Sequence, residues 1–402
     1  MPDMTELNLA KPFLVIYIVW HPAFGDGAVL AEVLRGHFRR ELYQNVVGGA
    51  GLSVIFRSVP LPETGKPLAI DFSESETTAV IVLAESNMAY DPEWKAWLHE
   101  LSAQTLNAGL GTHLFPVAIE SEGLSIGLEE QAIRWDLWLQ SIDSNMADMQ
   151  IQLLSVLTYE FCRMLRHYLE HLKQPDKNED ELLQYLRKVQ IFLSHSKHDA
   201  DRDGERIARL VRDQLHCGHG LSSFFDVHDI PAGLRFHEVL LKQVAQSAVV
   251  AIHTDSYSSR EWCRREIIEA KRHRVPLVVA NCINELDERS FPYMGNVPIV
   301  RMEPQQADRI HIIIARLLDE ILKDFLWRCR VQLVDSERPD VYFIPRVPEL
   351  ISLAGLPSPE NGPILIIYPD PPLSAEEERL FEEIKPEIKL RSFTEWLAEG
   401  TT

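Results

Sequence analysis

Apolar residues run along this chain in short, nearly unbroken blocks, and amphipathic stretches fill the gaps between them. FLVIYIVW (13–20), TTAVIVLA (77–84) and THLFPVAI (112–119) form one series, and VQIFLS (189–194), SAVVAI (247–252) and VPLVVA (275–280) form another. Blocks of this length and continuity predict strands buried on both faces, as in a parallel sheet. The segment VLAEVLRGHFRREL (29–42) and its counterpart DRDGERIARLVRDQL (201–215) carry the three-to-four spacing of helices that cover such a sheet. Each series closes on a long amphipathic helix. About Met149 to Leu172 has a stripe of Leu153, Leu157, Phe161, Leu165 and Leu169; about Ala307 to Arg328 has one of Ile310, Ile314, Leu317, Ile321 and Phe325.

The two series are therefore read as tandem copies of one α/β unit. The polar run QPDKNEDE (174–181) is the expected linker, and DSERPD (335–340) marks a second boundary. This gives domains at 10–174 and 187–333 and a C-terminal region at 338–402. That last stretch, with strand-like VYFIP and PILIIYP and helical AEEERLFEEI, is too short for a third copy and is expected to be a small α/β appendage.

Composition narrows the function classes. The net charge of −20 opposes contact with a nucleic-acid backbone, which needs a basic footprint. No apolar run approaches the roughly 20 residues of a membrane-spanning helix. The opening MPDMTELNLAKP lacks the basic-then-apolar pattern of a secretory leader, so a cytoplasmic protein is expected. The five cysteines are scattered, with no CxxC pair, which points to reduced, packed thiols and away from disulfides or structural zinc.

Three segments of the second unit stand out. IFLSHSKHD (191–199) is a buried strand delivering small polar residues to a loop. FFDVHDIPAG (224–233) places an aspartate after a strand and then an Ile-Pro-x-Gly turn, where Asp226 fits an Asx-type cap and Gly233 a permissive backbone. SYSSREWCRREI (256–267) sets Glu266 four residues after Trp262, one helical turn on, so that both project from adjacent points of one face. Taken in order, these three segments resemble the boxes of the Toll/interleukin-1 receptor (TIR) family.

That resemblance implies a flavodoxin-like parallel-sheet fold for 187–333 and a degenerate TIR-like copy before it. Some TIR domains cleave NAD⁺ and others are self-associating adaptors. Catalysis would fall to Glu266, with Trp262 walling the pocket, and Ser194, His195, Ser196 and Lys197 lining it. Asp229 and Gly233 would gate it and meet neighbouring TIR domains. Pro231 departs from catalytic relatives that carry an acidic residue there. NAD⁺ is implied as a substrate, with no cofactor and no metal. Breaking the nicotinamide–ribose bond leaves a cationic sugar, which a single carboxylate can stabilise. The expectation is an NAD⁺-hydrolysing effector of bacterial (anti-phage) defence, activated by self-assembly, with an activating partner or ligand that the sequence does not name. The alternative is a non-catalytic adaptor.

The basic run from Arg264 to Arg274 is expected to be a solvated helix face. The first unit lacks the boxes: Trp20 and Pro22 stand in its loop, and Ser58 replaces Asp226. In DPEWKAWLHEL (91–101), Leu98 follows Trp94 by four residues, while Glu100 follows Trp97 by only three. That shift rotates the carboxylate by about 100° around the helix axis.

Overall fold

A computed structural model of the chain describes residues 11–39, 51–140, 145–174, 189–197, 199, 203–218, 222–224, 244, 247–287, 291–302, 309–334, 341–354, 356 and 363–400. The chain divides into two compact units, Met1–Tyr185 and Leu186–Thr402.

The first unit contains β1 (Leu14–Val19), α1 (Gly27–Arg39), β2 (Ser53–Arg57), β3 (Thr77–Ala84), α2 (Ser86–Tyr90), α3 (Pro92–Asn107), β4 (Thr112–Ala118), α4 (Trp135–Leu139) and α5 (Met146–Lys173). Its strands are all parallel in the order β2-β1-β3-β4. Every residue of β1 and β3 is buried, which is why these segments read as unbroken apolar runs. Asp91 starts α3 by accepting the N–H groups of Glu93 and Trp94 ahead of Pro92 at the first helical position. All five residues of the expected α5 stripe are buried.

The second unit opens with β5 (Gln190–His195), α6 (Asp203–Gly218), β6 (Ser222–Phe224), β7 (Ala248–His253), α7 (Glu261–Arg272), β8 (Leu277–Asn281), β9 (Ile299–Arg301) and α8 (Ile310–Val334). The parallel order is β6-β5-β7-β8-β9, so its first four strands repeat the order of the first sheet. The α/β fold class expected from the sequence, with tandem parallel sheets, is the one observed. On one face of this sheet Phe192, Val249, Ala251, Leu277 and Val279 pack against Cys263, Ile267 and Ala270 of α7. The helix α8 packs on β7, β8 and α6.

The C-terminal segment adds β10 (Val341–Phe343), β11 (Ile364–Tyr368), α9 (Ala375–Ile384), β12 (Ile388–Ser392) and α10 (Phe393–Gly400), with a parallel β10-β11-β12 sheet. It belongs to the same compact unit as the five-stranded sheet. The reason lies in α8, which continues to Val334 instead of ending near Arg328. Its last turns carry Trp327 and Val334 into a cluster with Ile367 and Phe393, and the Trp327 and Phe393 rings sit 5.5 Å apart.

Candidate functional site

The carboxyl ends of β5 and β7 and the first turns of α7 meet at one corner of the second unit. In parallel α/β sheets this is the edge where ligands bind. The inward face of α7 carries Cys263, Glu266, Ile267 and Ala270, all buried. Glu266 is thus a carboxylate on the core-facing side of a helix, only 8% exposed. Such a position is uncommon for an acid and requires hydrogen-bond partners.

Ser194 supplies one. Its hydroxyl donates to Glu266 Oε2 at 2.5 Å and lies 2.5 Å from the Tyr257 hydroxyl. Because a serine has a single O–H, the proton between Tyr257 and Ser194 comes from the tyrosine. The relay runs Tyr257 to Ser194 to Glu266. Burial, with the charge of Glu266 adding to it, pushes the Tyr257 hydroxyl well above its ordinary pKa and keeps it a donor. Burial also raises the Cys263 thiol, Glu266 adding to the effect, so that thiol is inert. It points its S–H at the His195 carbonyl, 3.6 Å away.

The loop between β7 and α7 is latched from several sides. Ser256 Oγ donates to Asp199 Oδ1 at 2.6 Å and lies 2.7 Å from Ser196 Oγ. Asp255 accepts the N–H groups of Asn284, Glu285 and Leu286. Burial pushes its carboxyl up, and the three donors outweigh that and hold it below its usual value. Gly204, near the start of α6, lets that helix approach the segment that follows β5. A Cβ there would meet the Ser196 carbonyl at 2.7 Å and Asp199 Oδ2 at 2.9 Å.

The residues singled out by sequence thus fall in different places. Ser194 is 1% exposed, and its hydroxyl is committed to Tyr257 and Glu266, so it orients the carboxylate from beneath. Ser196 is buried and tied to Ser256, His195 is half-buried with Nδ1 3.4 Å from the Leu193 carbonyl, and Lys197 is exposed. Trp262 is 37% exposed, with the Arg265 guanidinium 4.4 Å from its ring centroid. Positions four apart differ by about 40° around a helix, and the edge of the buried face falls between Trp262 and Glu266. Asp226, Asp229, Pro231 and Gly233 lie outside the described residues.

Two features escaped the sequence reading. Tyr257 was legible only as part of the SYSS run. His253, at the end of β7, is buried with Nε2 3.0 Å from Ser258 Oγ and 3.2 Å from Asp287 Oδ2. Among the described residues no group of three or more His, Cys, Asp or Glu side chains is placed to hold a metal ion.

The first unit shows what the same fold does without these polar groups. There Val19, at the end of β1, and Leu98, on α3, belong to one apolar cluster with Trp94 and Trp97. Trp20 fills the loop after β1, packing on Phe56 and pressing against Gly27, where a Cβ would lie 2.4 Å from its ring. Glu100 is exposed and accepts from Gln104 of its own helix.

A doubly wound parallel sheet whose strand-end corner holds a buried helical carboxylate defines the second unit as a flavodoxin-like α/β domain. Residues 191–310 match the family model for the TIR domain, so this part of the chain is a TIR domain. A comparison with curated proteins finds no match. Among solved structures, the tagatose-6-phosphate ketose/aldose isomerase from Escherichia coli aligns at 12% identity over 78% of this chain and 83% of that one. Its TM-score is 0.21, too low to bear on fold or activity.

Proposed function

We propose that the second unit is an NAD⁺ glycohydrolase in which Glu266 is the catalytic carboxylate. The observation that supports this reading is the Tyr257–Ser194–Glu266 relay, which holds an acid in one orientation at the ligand-binding edge of the sheet. In the reaction the bond from ribose C1′ to nicotinamide breaks, and nicotinamide leaves with the bonding pair as a neutral base. Water supplies a hydroxyl to C1′ and a proton is released. Glu266 stabilises the positive charge that develops on the sugar. Ser194 and Tyr257 act through it as positioning residues. Lys197, at the surface of the same loop, offers a cation for the pyrophosphate, and Trp262 offers an aromatic face at the rim.

In this reading the domains divide at 10–174, 187–333 and 338–402. The first is a degenerate TIR-like copy that has Leu98 on the buried face of its tryptophan-bearing helix, and it has a regulatory or assembly role. The whole is a cytoplasmic effector that works after self-association, in a defence role in which loss of NAD⁺ is the outcome. Among the described residues no helix is long and apolar enough to cross a membrane.

The test is to incubate the full chain at high concentration with NAD⁺ and follow free nicotinamide. Wild-type protein is expected to release it, and Glu266→Gln to release it at least about 100-fold more slowly. Release that persists unchanged in Glu266→Gln removes this residue from the mechanism. No release by wild type in any assembled state leaves a docking adaptor.

A further inference from the structure

The far end of α7 meets a second cluster of charge, separate from the Glu266 corner. Arg274 follows the helix in a left-handed backbone conformation, with φ 55°, and leads into β8. The strap after β10 crosses here. Arg346 Nη1 donates to the carbonyls of Arg274 at 2.7 Å and Val275 at 3.0 Å. Lys271 Nζ donates to the Gly295 carbonyl at 2.8 Å and to Glu349 Oε1 at 2.5 Å. Lys271, Arg274, Arg346 and Glu349 line one narrow cavity, together with the aliphatic side chains of Val297 and Ile344.

The charges in this cavity do not balance. Three cations face a single carboxylate, which leaves an excess of two positive charges in a chain whose net charge is −20. The hydrogen bonds do not balance either. Lys271 and one arm of Arg346 are employed on carbonyl or carboxylate oxygens, whereas Arg274 Nε is sealed from solvent and has no hydrogen-bond partner among the described residues. A buried guanidinium N–H left without an acceptor is costly, and the guanidinium fork is shaped for planar or tetrahedral oxyanions.

We propose that this cavity is a binding site for a phosphoryl group, which accepts from the guanidinium groups of Arg274 and Arg346 that line it. A phosphoryl group carries about −1.5 to −2 charges near neutral pH, which matches the excess, whereas a carboxylate would leave one cation uncompensated. Its occupant bridges the end of α7 to the strap before β11. The site involves neither Glu266 nor NAD⁺, so the proposal stands apart from the catalytic reading.

The test is calorimetric titration of the full chain with inorganic phosphate in a phosphate-free buffer. Saturable binding at one site per chain is expected. It weakens at least about tenfold in Arg274→Met, the loss of a charge-assisted hydrogen bond, and is unchanged in Lys197→Ala. Should Arg274→Met fail to fold, Arg274→Lys keeps the charge, lacks the guanidinium fork and carries the same expectation. Competition by glycerol 3-phosphate supports an esterified ligand, and binding of phosphate without that competition supports the free anion. Absence of saturable binding overturns the proposal. So does equal binding by the Arg274 variants, loss of binding in Lys197→Ala alone, or equal competition by acetate at matched ionic strength.

Discussion

Ser194 donates to the Glu266 carboxylate from beneath, and that makes Ser194 the sharpest residue-scale test of the site. Ser194→Ala removes the hydroxyl under the carboxylate while keeping the strand. If NAD⁺ is the substrate, kcat falls about tenfold to 100-fold with KM little changed, because the interaction acts on the transition state more than on binding. Equal kcat in steady-state measurements would take Ser194 out of the reaction. Reading the sequence gave Ser194 to the pocket wall; in the structure its hydroxyl meets Tyr257 and Glu266. A serine at a strand end looks the same in sequence whether it faces a cleft or a neighbouring helix. Only the packing of α7 on that face decides it.

Two further residue-scale outcomes follow from burial. Cys162, Cys263, Cys282 and Cys329 are all buried, and burial pushes the Cys282 thiol up to about 12. These four are expected to stay unmodified by iodoacetamide in the folded protein and to react on unfolding, as peptide mass spectrometry would show. His113 and His253 are held below the ordinary histidine value of 6.5, in both cases chiefly by burial; Asp287 opposes the shift at His253 without reversing it. The unfolded chain therefore takes up protons near 6.5 that the fold resists. The stability contributed by the neutral rings is complete above that pH and is lost as pH falls below it. Urea midpoints are expected to drop between about pH 7.5 and about pH 5.5, and His253→Gln to shrink the drop.

At the scale of elements, α7 is held at both ends. Its first two turns are anchored by Cys263 and Glu266 against the sheet, and its last by Lys271 to Glu349. Lys271 is 8% exposed, and burial lowers its pKa against the pull of Glu349. Glu349→Gln leaves that cation without its counter-charge and is expected to cost about 3 kcal/mol in chemical denaturation. Lys271→Met with Glu349→Leu together are expected to recover most of it. A double variant no more stable than Glu349→Gln would contradict this. The helix itself, like β5, β7, β8 and α5, was legible from its apolar spacing. The fate of Lys271 was not. Helical periodicity marks the positions around Ile267 and Ala270 as inward, but it cannot show that a segment about 75 residues further along returns to cover the flank. The expectation of a solvated basic face therefore failed at Lys271, and at Arg274, whose Nε is sealed from solvent.

At the scale of the molecule, the alternation of strands and helices disclosed two parallel sheets and a short third one. It did not disclose that the third shares a helix with the second. A chain ending at 334 would leave Trp327 and Val334 without the Ile367 and Phe393 side chains they pack on. It is expected to melt at lower temperature than the full chain and to aggregate, as scanning calorimetry and light scattering would show. A truncated chain that melts like the full one would show the C-terminal sheet to be dispensable. The carboxylate on α7 of the second unit and the leucine on α3 of the first were both foreshadowed by sequence. Leu98 at the fourth position after Trp94 already ruled out an acid there.

The long helix α8 has a practical consequence for anyone who handles this domain. The stretch that matches the TIR family ends at residue 310, where α8 begins, yet that helix shields β7 and β8 on one side and seats the terminal sheet further along. A gene fragment trimmed to the family border would encode a sheet with one flank bare to water. For cloning, chimera building or transplantation, the cassette to move runs from about residue 187 through residue 400, and not the shorter piece that similarity alone would mark out.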